Sequence, residues 1–380
     1  MTKAPLLRKN RNNHYEGAAL SGLATNNHQI IDDSMMAAID LGTNNCRLMI
    51  AQKNRSQFRI IESFSRIVRL GEGLGSSGFL NQRAMDRAAR ALYLCAEKIE
   101  KRGAAKIRAV ATQACRFASN GVEFVERIKQ ETGLPLTIIS AEEEANLAVL
   151  GCGNLLYPLP SHIEAHWALV IDVGGGSTEI SWVKLSQQPS PSLLTPEKHH
   201  DKRIKGNLLA AFSASIPIGV VNLSEAYPEP EPKDQSKWFA AMKAKVSESL
   251  NNFEVPIEAY EAIKSNNAFV LGTSGAITSL AGLHLGLPHY DRSKVDGLWM
   301  TAEHCNQAIN NLLARSKIAR ESEPCIGKAR ADLVLAGAAI LVAIQERWYC
   351  QHLRVADRGL REGLLLSMLT SPKSARRRRR

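Results

Sequence analysis

Apolar and polar positions run in blocks along this chain, and twice they draw the same figure. From Met35 the text M-M-A-A-I-D-L-G-T-N-N-C-R-L-M-I-A reads as an apolar strand, a polar turn and an apolar returning strand. From Trp167 the figure recurs: an apolar run to Ile171 delivers Asp172 into three glycines and two hydroxyls, and a second apolar-alternating run leads away past Glu179. Apolar runs bounded by Gly and Asn predict strands joined by a turn. A hairpin repeated at a spacing too long for a solenoid points to duplicated domains that face each other.

The pattern fills in the rest. Residues 58–64 alternate as a third strand, and 66–74 form a Gly-punctuated connection. Met85, Ala89, Leu92, Ala96 and Ile99 stand at helical spacing, with Asn81 as N-cap and Gly103 as stop. A strand over 107–112 continues through T-Q-A-C-R-F-A-S-N into a turn, then come a helix over 121–132, a short strand over 136–140 and a helix opening on S-A-E-E-E-A. The order β-β-β-α-β-α is an α/β layer architecture. In the second half we expect a strand over 212–218, helices over 222–227 and, with a break near Pro256, over 236–263, and a turn over 228–232. A strand–turn–helix over 268–285, helices over 301–314 and 331–348, a strand over 352–356 and a last helix over 359–369 complete the chain. Residues 186–206 are polar and long for a connection inside a domain, hence functional or mobile.

The turns carry the candidate chemistry. Glycine lacks a Cβ and takes φ > 0 readily, so Gly174, Gly175 and Gly176 let successive N–H groups point into one concavity that suits an anion, with Ser177 and Thr178 adding hydroxyls. Asp172 and Glu179 put carboxylates beside that concavity, which fits an anion site when a divalent cation sits between. In the first turn Asp40 reads as a metal or water ligand, Gly42, Thr43, Asn44 and Asn45 as phosphate donors, and Arg47 as a charged donor or a surface arginine. Glu142, Glu143 and Glu144 lie in the first turn of a helix, where the macrodipole favours negative charge. That accounts for two of them; one is free to act as a general base, and the residue pattern does not choose which. Gly272 and Gly275 bracket Thr273 and Ser274 at a helix start, a place for an anion or a ribose edge, with helix packing as the plain alternative.

Composition narrows this picture. A chain of 380 residues exceeds the usual single domain, and 44% hydrophobic content supports a sizeable core. No apolar run approaches the roughly 20 residues of a membrane span. Residues 1–35 are polar, lack the apolar segment of a secretory signal and read as a disordered extension. Seven scattered cysteines without a C-x-x-C pair suggest reduced thiols in the cytoplasm and no zinc site, and His199 and His200 are adjacent rather than a turn apart. Of the net charge of +11, Lys373 and residues 376–380 supply six, a tail that is either solvated or able to touch nucleic acid, an anionic lipid surface or a polyanion.

Two D-x-G turns a domain apart, followed by a strand–G-T-S-G–helix, resemble the actin-like ATPase superfamily. The finer text, D-L-G-T-N-N-C-R, A-T-Q-A-C-R-F-A-S-N, E-E-A, D-V-G-G-G-S-T-E, I-P-I-G-V-V-N-L-S-E, L-G-T-S-G and G-L-R-E-G-L in that order over residues 36–369, resembles the exopolyphosphatase and guanosine pentaphosphate phosphatase family. The resemblance implies an α/β fold of two actin-like, ribonuclease H-like domains with a cleft between them. We expect domain I over 36–143 plus 357–370, domain II over 144–356 and a basic tail over 371–380. It implies hydrolysis of the terminal phosphate of inorganic polyphosphate or of the 5′-phosphate of guanosine pentaphosphate, assisted by magnesium or manganese, in the cytoplasm and in the stringent response. It makes Glu144 the residue that activates water, with Asp40 and Arg116 beside it in catalysis. Asp40, Asp172 and Glu179 become metal-associated; Thr43, Asn44, Gly174, Gly175, Gly176, Ser177 and Thr178 become phosphate-contacting, joined by Gly42, Gly272 and Ser274 from the turn readings.

The first turn departs from the family's usual S-N-S at T-N-N-C, and the chain ends after G-L-R-E-G-L, so a short two-domain form is expected, with the basic residues around 198–205 and the tail as a substitute polyanion track. Nucleic acid is not an expected partner, and a homodimer is one option. Rival readings are an ATP-dependent kinase or ATPase on the same fold and a non-catalytic sensor of polyphosphate or the alarmone; the motifs do not choose between the two substrates.

Overall fold

The computed structural model describes residues 32–54, 57–185, 210–230 and 234–370. The N-terminal extension, the polar segment 186–206, part of the 228–232 turn and the basic tail lie outside the described residues, wholly or almost so.

The first lobe contains β1 (Asp32–Leu41), β2 (Asn45–Asn54), β3 (Gln57–Ile67), α1 (Leu74–Ser77), α2 (Gln82–Lys101), β4 (Ala104–Ala111), α3 (Gln113–Phe117), α4 (Gly121–Thr132) and β5 (Leu136–Ile138). Helix α5 (Ala141–Cys152) leads to the second lobe. There follow β6 (Trp167–Val173), β7 (Thr178–Lys184), β8 (Phe212–Ile216), α6 (Val220–Ala226), α7 (Gln235–Leu250), α8 (Ile257–Lys264), β9 (Ala268–Thr273) and α9 (Gly275–His284). The chain continues through α10 (Arg292–Val295), β10 (Trp299–Thr301), α11 (Ala302–Leu313), α12 (Lys317–Glu321), α13 (Val334–Arg347) and β11 (His352–Ala356), and α14 (Leu360–Thr370) closes it.

The two sheets share one plan. In the first, ordered β3-β2-β1-β4-β5, the three leading strands run antiparallel and β1, β4 and β5 run parallel. In the second, β8-β7-β6-β9-β11 repeats that order and those directions, and β10 adds an antiparallel edge. This duplication is the two-lobed actin-like fold.

Side-chain alternation along the central strands explains why both faces are covered. In β1, Met35, Ala37, Ile39 and Leu41 enter the core under α2 and α4, while Met36 and Ala38 enter the one under α14. In β6, Trp167, Leu169, Ile171 and Val173 face the core of the larger helical layer, and Ala168 and Val170 face the one reached by α5. Asp40 and Asp172 continue the even-numbered rows, so each lies at a strand end on the side of the interlobe helices. Helix α5 packs Leu147 with Leu360 and Leu364 of α14, and Val149 and Cys152 with the second sheet.

Local signals set most boundaries. Asn81 caps α2 by accepting from the Ala84 N–H, as its position predicted. Two expectations need correction, and one short strand was not foreseen. Residues 113–117, read as part of a turn, make the short helix α3, closed by the Ala118 N–H on the Ala114 carbonyl. Strand β10 has only three residues, too few for a period to register, and exists by pairing with β11. Strand β1 begins at Asp32 rather than near Met35. All seven cysteines are buried free thiols, and among the described residues no helix is long and apolar enough to cross a membrane.

Candidate active site

The two repeated turns face each other across a cavity of about 330 Å³ between the lobes. Each is closed by the same bond, Gly42 N–H to Asn45 O and Gly174 N–H to Ser177 O, both 2.9 Å. Each is also held from behind. The Gly71 N–H donates to Thr43 O, and the Val68 and Arg69 N–H groups donate to Asn44 O. On the other side Val220 N–H holds Gly174 O at 3.0 Å, Val221 N–H holds Gly175 O at 2.7 Å, and Asn222 Nδ2 holds Gly176 O at 2.9 Å. In a planar trans peptide the C=O and the following N–H point in opposite directions. Gripping these carbonyls therefore turns the N–H groups of Asn44 and Asn45, and of Gly175, Gly176 and Ser177, away from the backing segments toward the cavity these residues line. The result is a pair of opposed anion nests. They approach so closely that a Cβ on Gly176 would stand 2.1 Å from Gln113 Oε1 and 2.8 Å from Thr43 Oγ1, so a side chain there would displace Gln113 and crowd Thr43.

Six carboxylates line this cavity: Asp40, Glu144, Asp172 and Glu179 around the turns, and Asp357 and Glu362, which accept from Tyr290 Oη (2.7 Å) and Arg292 Nη2 (3.0 Å). Helix α5 sorts its three leading acids. Glu142 is exposed, Glu143 pairs with Arg108 on the outside, and Glu144 is buried at 8% exposure against the cavity. Arg116 Nη1 bridges Glu144 Oε2 at 3.1 Å and the Ile139 carbonyl at 2.8 Å, so it orients the carboxylate. Burial, with Glu179 close by, pushes the Glu144 carboxyl well above its usual range despite Arg116. Asp172 is raised to about 7 by burial and by Glu144 and Asp40. Burial and Asp172 raise Glu179 too, although Ser177 Oγ (2.7 Å) and Ser215 Oγ (3.0 Å) donate to its Oε1. Asp40 is raised by burial and held back by Arg47 and Arg361.

The register shows how the duplicate halves differ. Asp40 stands opposite Arg47 across the first hairpin, whereas Asp172 stands opposite Glu179 across the second. Equivalent positions thus carry opposite charges, and Arg47 lines the cavity rather than the outer surface. Gly42, Thr43, Asn44, Gly174, Gly175, Gly176, Ser177 and Ser274 also line it. Ser274 caps α9 through the Ile277 N–H at 3.0 Å. Two expected contacts are placed elsewhere. Thr178 is fully buried, its hydroxyl donating backwards to the Ile218 carbonyl at 2.7 Å, and Gly272 lies inside β9 against Ile277. Sequence reasoning missed Gln113, which accepts from Thr43 Oγ1 at 3.2 Å, and Arg361, which α14 carries into the cavity. The Arg361-Glu362 pair opening an otherwise mostly apolar helix was the available signal for Arg361.

A model of the Ppx/GppA phosphatase family matches residues 49–372. The chain belongs to the Ppx/GppA phosphatase family. The type II crystal structure of the Aquifex aeolicus Ppx/GppA phosphatase is 28% identical with a TM-score of 0.63, covering 88% of this chain and 98% of that one. A second structure of the Aquifex aeolicus family member is 27% identical with a TM-score of 0.67 over 88% and 97%. An exopolyphosphatase from Cytophaga hutchinsonii shares the fold, with a TM-score of 0.71 at 22% identity over 88% and 97%. Membership in a phosphatase family makes the protein a hydrolase.

In this Ppx/GppA member the acids do not form a ready-made cage: among the described residues no three His, Cys, Asp or Glu side chains are gathered to hold a metal ion. Their raised pKa values have a consequence for stability. A carboxyl that titrates near 4 when unfolded and near 7 when folded binds its proton more tightly in the native state, so the stability it contributes is complete below pH 4 and is lost as pH rises through 7. The melting temperature of metal-free protein is expected to fall between about pH 5 and pH 8, and less steeply in Asp172→Asn. Scanning fluorimetry in chelator across that range checks this; parallel profiles for the two proteins would contradict it.

Proposed function

We propose that this cleft hydrolyses a terminal phosphoanhydride, removing orthophosphate from the end of inorganic polyphosphate or the 5′-phosphate from guanosine pentaphosphate. The observation that carries the reading is the pairing of two opposed nests of N–H donors with the buried, Arg116-bridged carboxylate of Glu144 in a single cavity. Phosphoryl transfer asks little covalent chemistry of a protein; it needs donors on the phosphoryl oxygens, an in-line nucleophile and charge neutralisation. The N–H groups of Gly175, Gly176 and Ser177 from one lobe, and of Asn44 and Asn45 from the other, would bind the terminal phosphoryl oxygens. Glu144, oriented by Arg116, accepts the proton of the attacking water. Its upward-shifted pKa suits it to that role near neutral pH. Arg47 and Arg361 supply positive charge on the Asp40 side.

The donor set suits magnesium. This ion is usually held by one or two carboxylates together with substrate phosphates and water, not by an all-protein cage. The candidates to hold it are Asp40, Asp172 and Glu179, one or two of which would reach a single ion, and Asn44 Oδ1, a buried acceptor on the cavity wall without a hydrogen-bond partner among the described residues, fits a coordinated water. Magnesium, when bound, would neutralise charge on the phosphates and on these acids. Manganese, equally an oxygen-seeking ion, would serve in the same place.

Orthophosphate release from polyphosphate of defined length and from guanosine pentaphosphate, with and without magnesium, tests the proposal. Magnesium-dependent release from at least one of them is expected. Binding of either without release would replace the enzyme by a sensor, and consumption of ATP with transfer to an acceptor would replace it by a kinase.

A further inference from the structure

The turn from Gly174 to Ser177 is gripped on three successive carbonyls, and the third grip differs in kind. The first two come from main-chain N–H groups, of Val220 and Val221. The third comes from a side chain, Asn222 in the first turn of α6. Its amide is fully engaged: Oδ1 accepts from the Gly219 N–H at 2.7 Å, and Nδ2 donates to the carbonyls of Gly176 and Pro217, both at 2.9 Å. A side-chain amide offers two N–H donors, and here both are committed to the backbone that forms the turn and its approach. Asn222 itself does not line the cavity.

We propose that Asn222 is a positioning residue for phosphate: by holding Gly176 O it fixes the plane of the Gly176–Ser177 peptide and thereby aims the Ser177 N–H at the phosphoryl group. This rests on the function proposed above. The bond it makes is short-range and directional, and no other side chain of the described residues reaches the Gly176 carbonyl. If it is lost, the peptide can rotate, because glycine at 176 imposes little backbone restraint of its own. The bonds to Gly174 O and Gly175 O would remain, so the turn would keep its place while losing the direction of one donor.

Asn222→Asp keeps the size and the acceptor for Gly219 but sets a carboxylate oxygen against Gly176 O; Asn222→Ser is too short to reach it. In both, kcat/KM is expected to fall about 10- to 100-fold, the range in which outer partners of a site act. The inhibition constant for orthophosphate should rise by a similar factor, with a melting temperature close to wild type. A merely structural role would lower the melting temperature and leave kcat/KM and orthophosphate inhibition of the folded protein unchanged, which would overturn the proposal, as would values within threefold of wild type in both variants. If Asn222→Asp does not fold, Asn222→Ser decides. Should the wild-type protein release no orthophosphate from either substrate, the functional reading fails on its own. Calorimetric titration with orthophosphate then tests the positioning role separately: weaker binding in the variants supports it, equal binding overturns it.

Discussion

Glutamine in place of Glu144 is expected to lower kcat for orthophosphate release by about 10³-fold, within the range that a positioned general base contributes. The substitution keeps the volume of the side chain and an oxygen for Arg116, which meets Glu144 Oε2 at 3.1 Å. What it removes is the capacity to take a proton. Substrate contacts are assigned to the N–H groups of the two turns, so the dissociation constant for tripolyphosphate should stay within about threefold of wild type, the signature of a group that acts in the transition state. The glutamate is buried with its pKa pushed up by desolvation and by Glu179, so the neutral amide should cost no stability. Rapid-quench turnover and calorimetric binding on the same preparations separate these effects. Near-wild-type turnover would remove Glu144 from the mechanism, and lost binding with retained chemistry would reassign it to substrate recognition.

The second large effect lies outside the cavity. Helices α5 and α14 cross backbone to backbone: a Cβ on Gly363 would stand 2.0 Å from the Leu147 carbonyl oxygen, and one on Gly151 would stand 1.9 Å from the Gly359 carbonyl oxygen. Main-chain atoms cannot swing aside as a flexible side chain can, so a methyl at either position must separate the helices. Gly363→Ala is expected to cost about 3 kcal/mol of stability, the upper part of the usual range for overpacking. Helix α5 carries Glu144 and α14 carries Arg361, so the same separation should lower kcat by about tenfold or more, because small misplacements of catalytic groups are costly. Gly75→Ala, where a Cβ would meet nothing within 4 Å, is the control. Urea unfolding and initial rates for the pair check the claim; a Gly363→Ala protein indistinguishable from the control would contradict it.

These two positions illustrate what was legible in the sequence. The repeated hairpins were plain, because alternation and glycine are local signals and both turns write them in one place. The duplication of domains was legible from the same repeat, while the strand order within each sheet was not. Choosing among Glu142, Glu143 and Glu144 was beyond the residue pattern, since the helix macrodipole explains all three equally. The resemblance to a family pointed to Glu144, and burial distinguishes it: Arg108 takes Glu143, Glu142 faces solvent, and only Glu144 turns inward. Direction was the common failure elsewhere. Thr178 and Gly272 stand in turn or strand-end contexts of the right composition, yet one hydroxyl points back to Ile218 and the other residue packs on Ile277. Composition states which groups are near a turn, not which way they face. Gly363 was visible as part of G-L-R-E-G-L, but the need for glycine there comes from a helix more than 200 residues earlier in the chain, a relation no local window contains.

In the proposed reaction, water activated in this cleft attacks the terminal phosphorus. Running the phosphate-release reaction in oxygen-18 water and locating the label by mass spectrometry tests it most directly. One heavy oxygen is expected in each released orthophosphate and none in the shortened chain or in guanosine tetraphosphate. Label in the shortened product, or orthophosphate released without label, would contradict it.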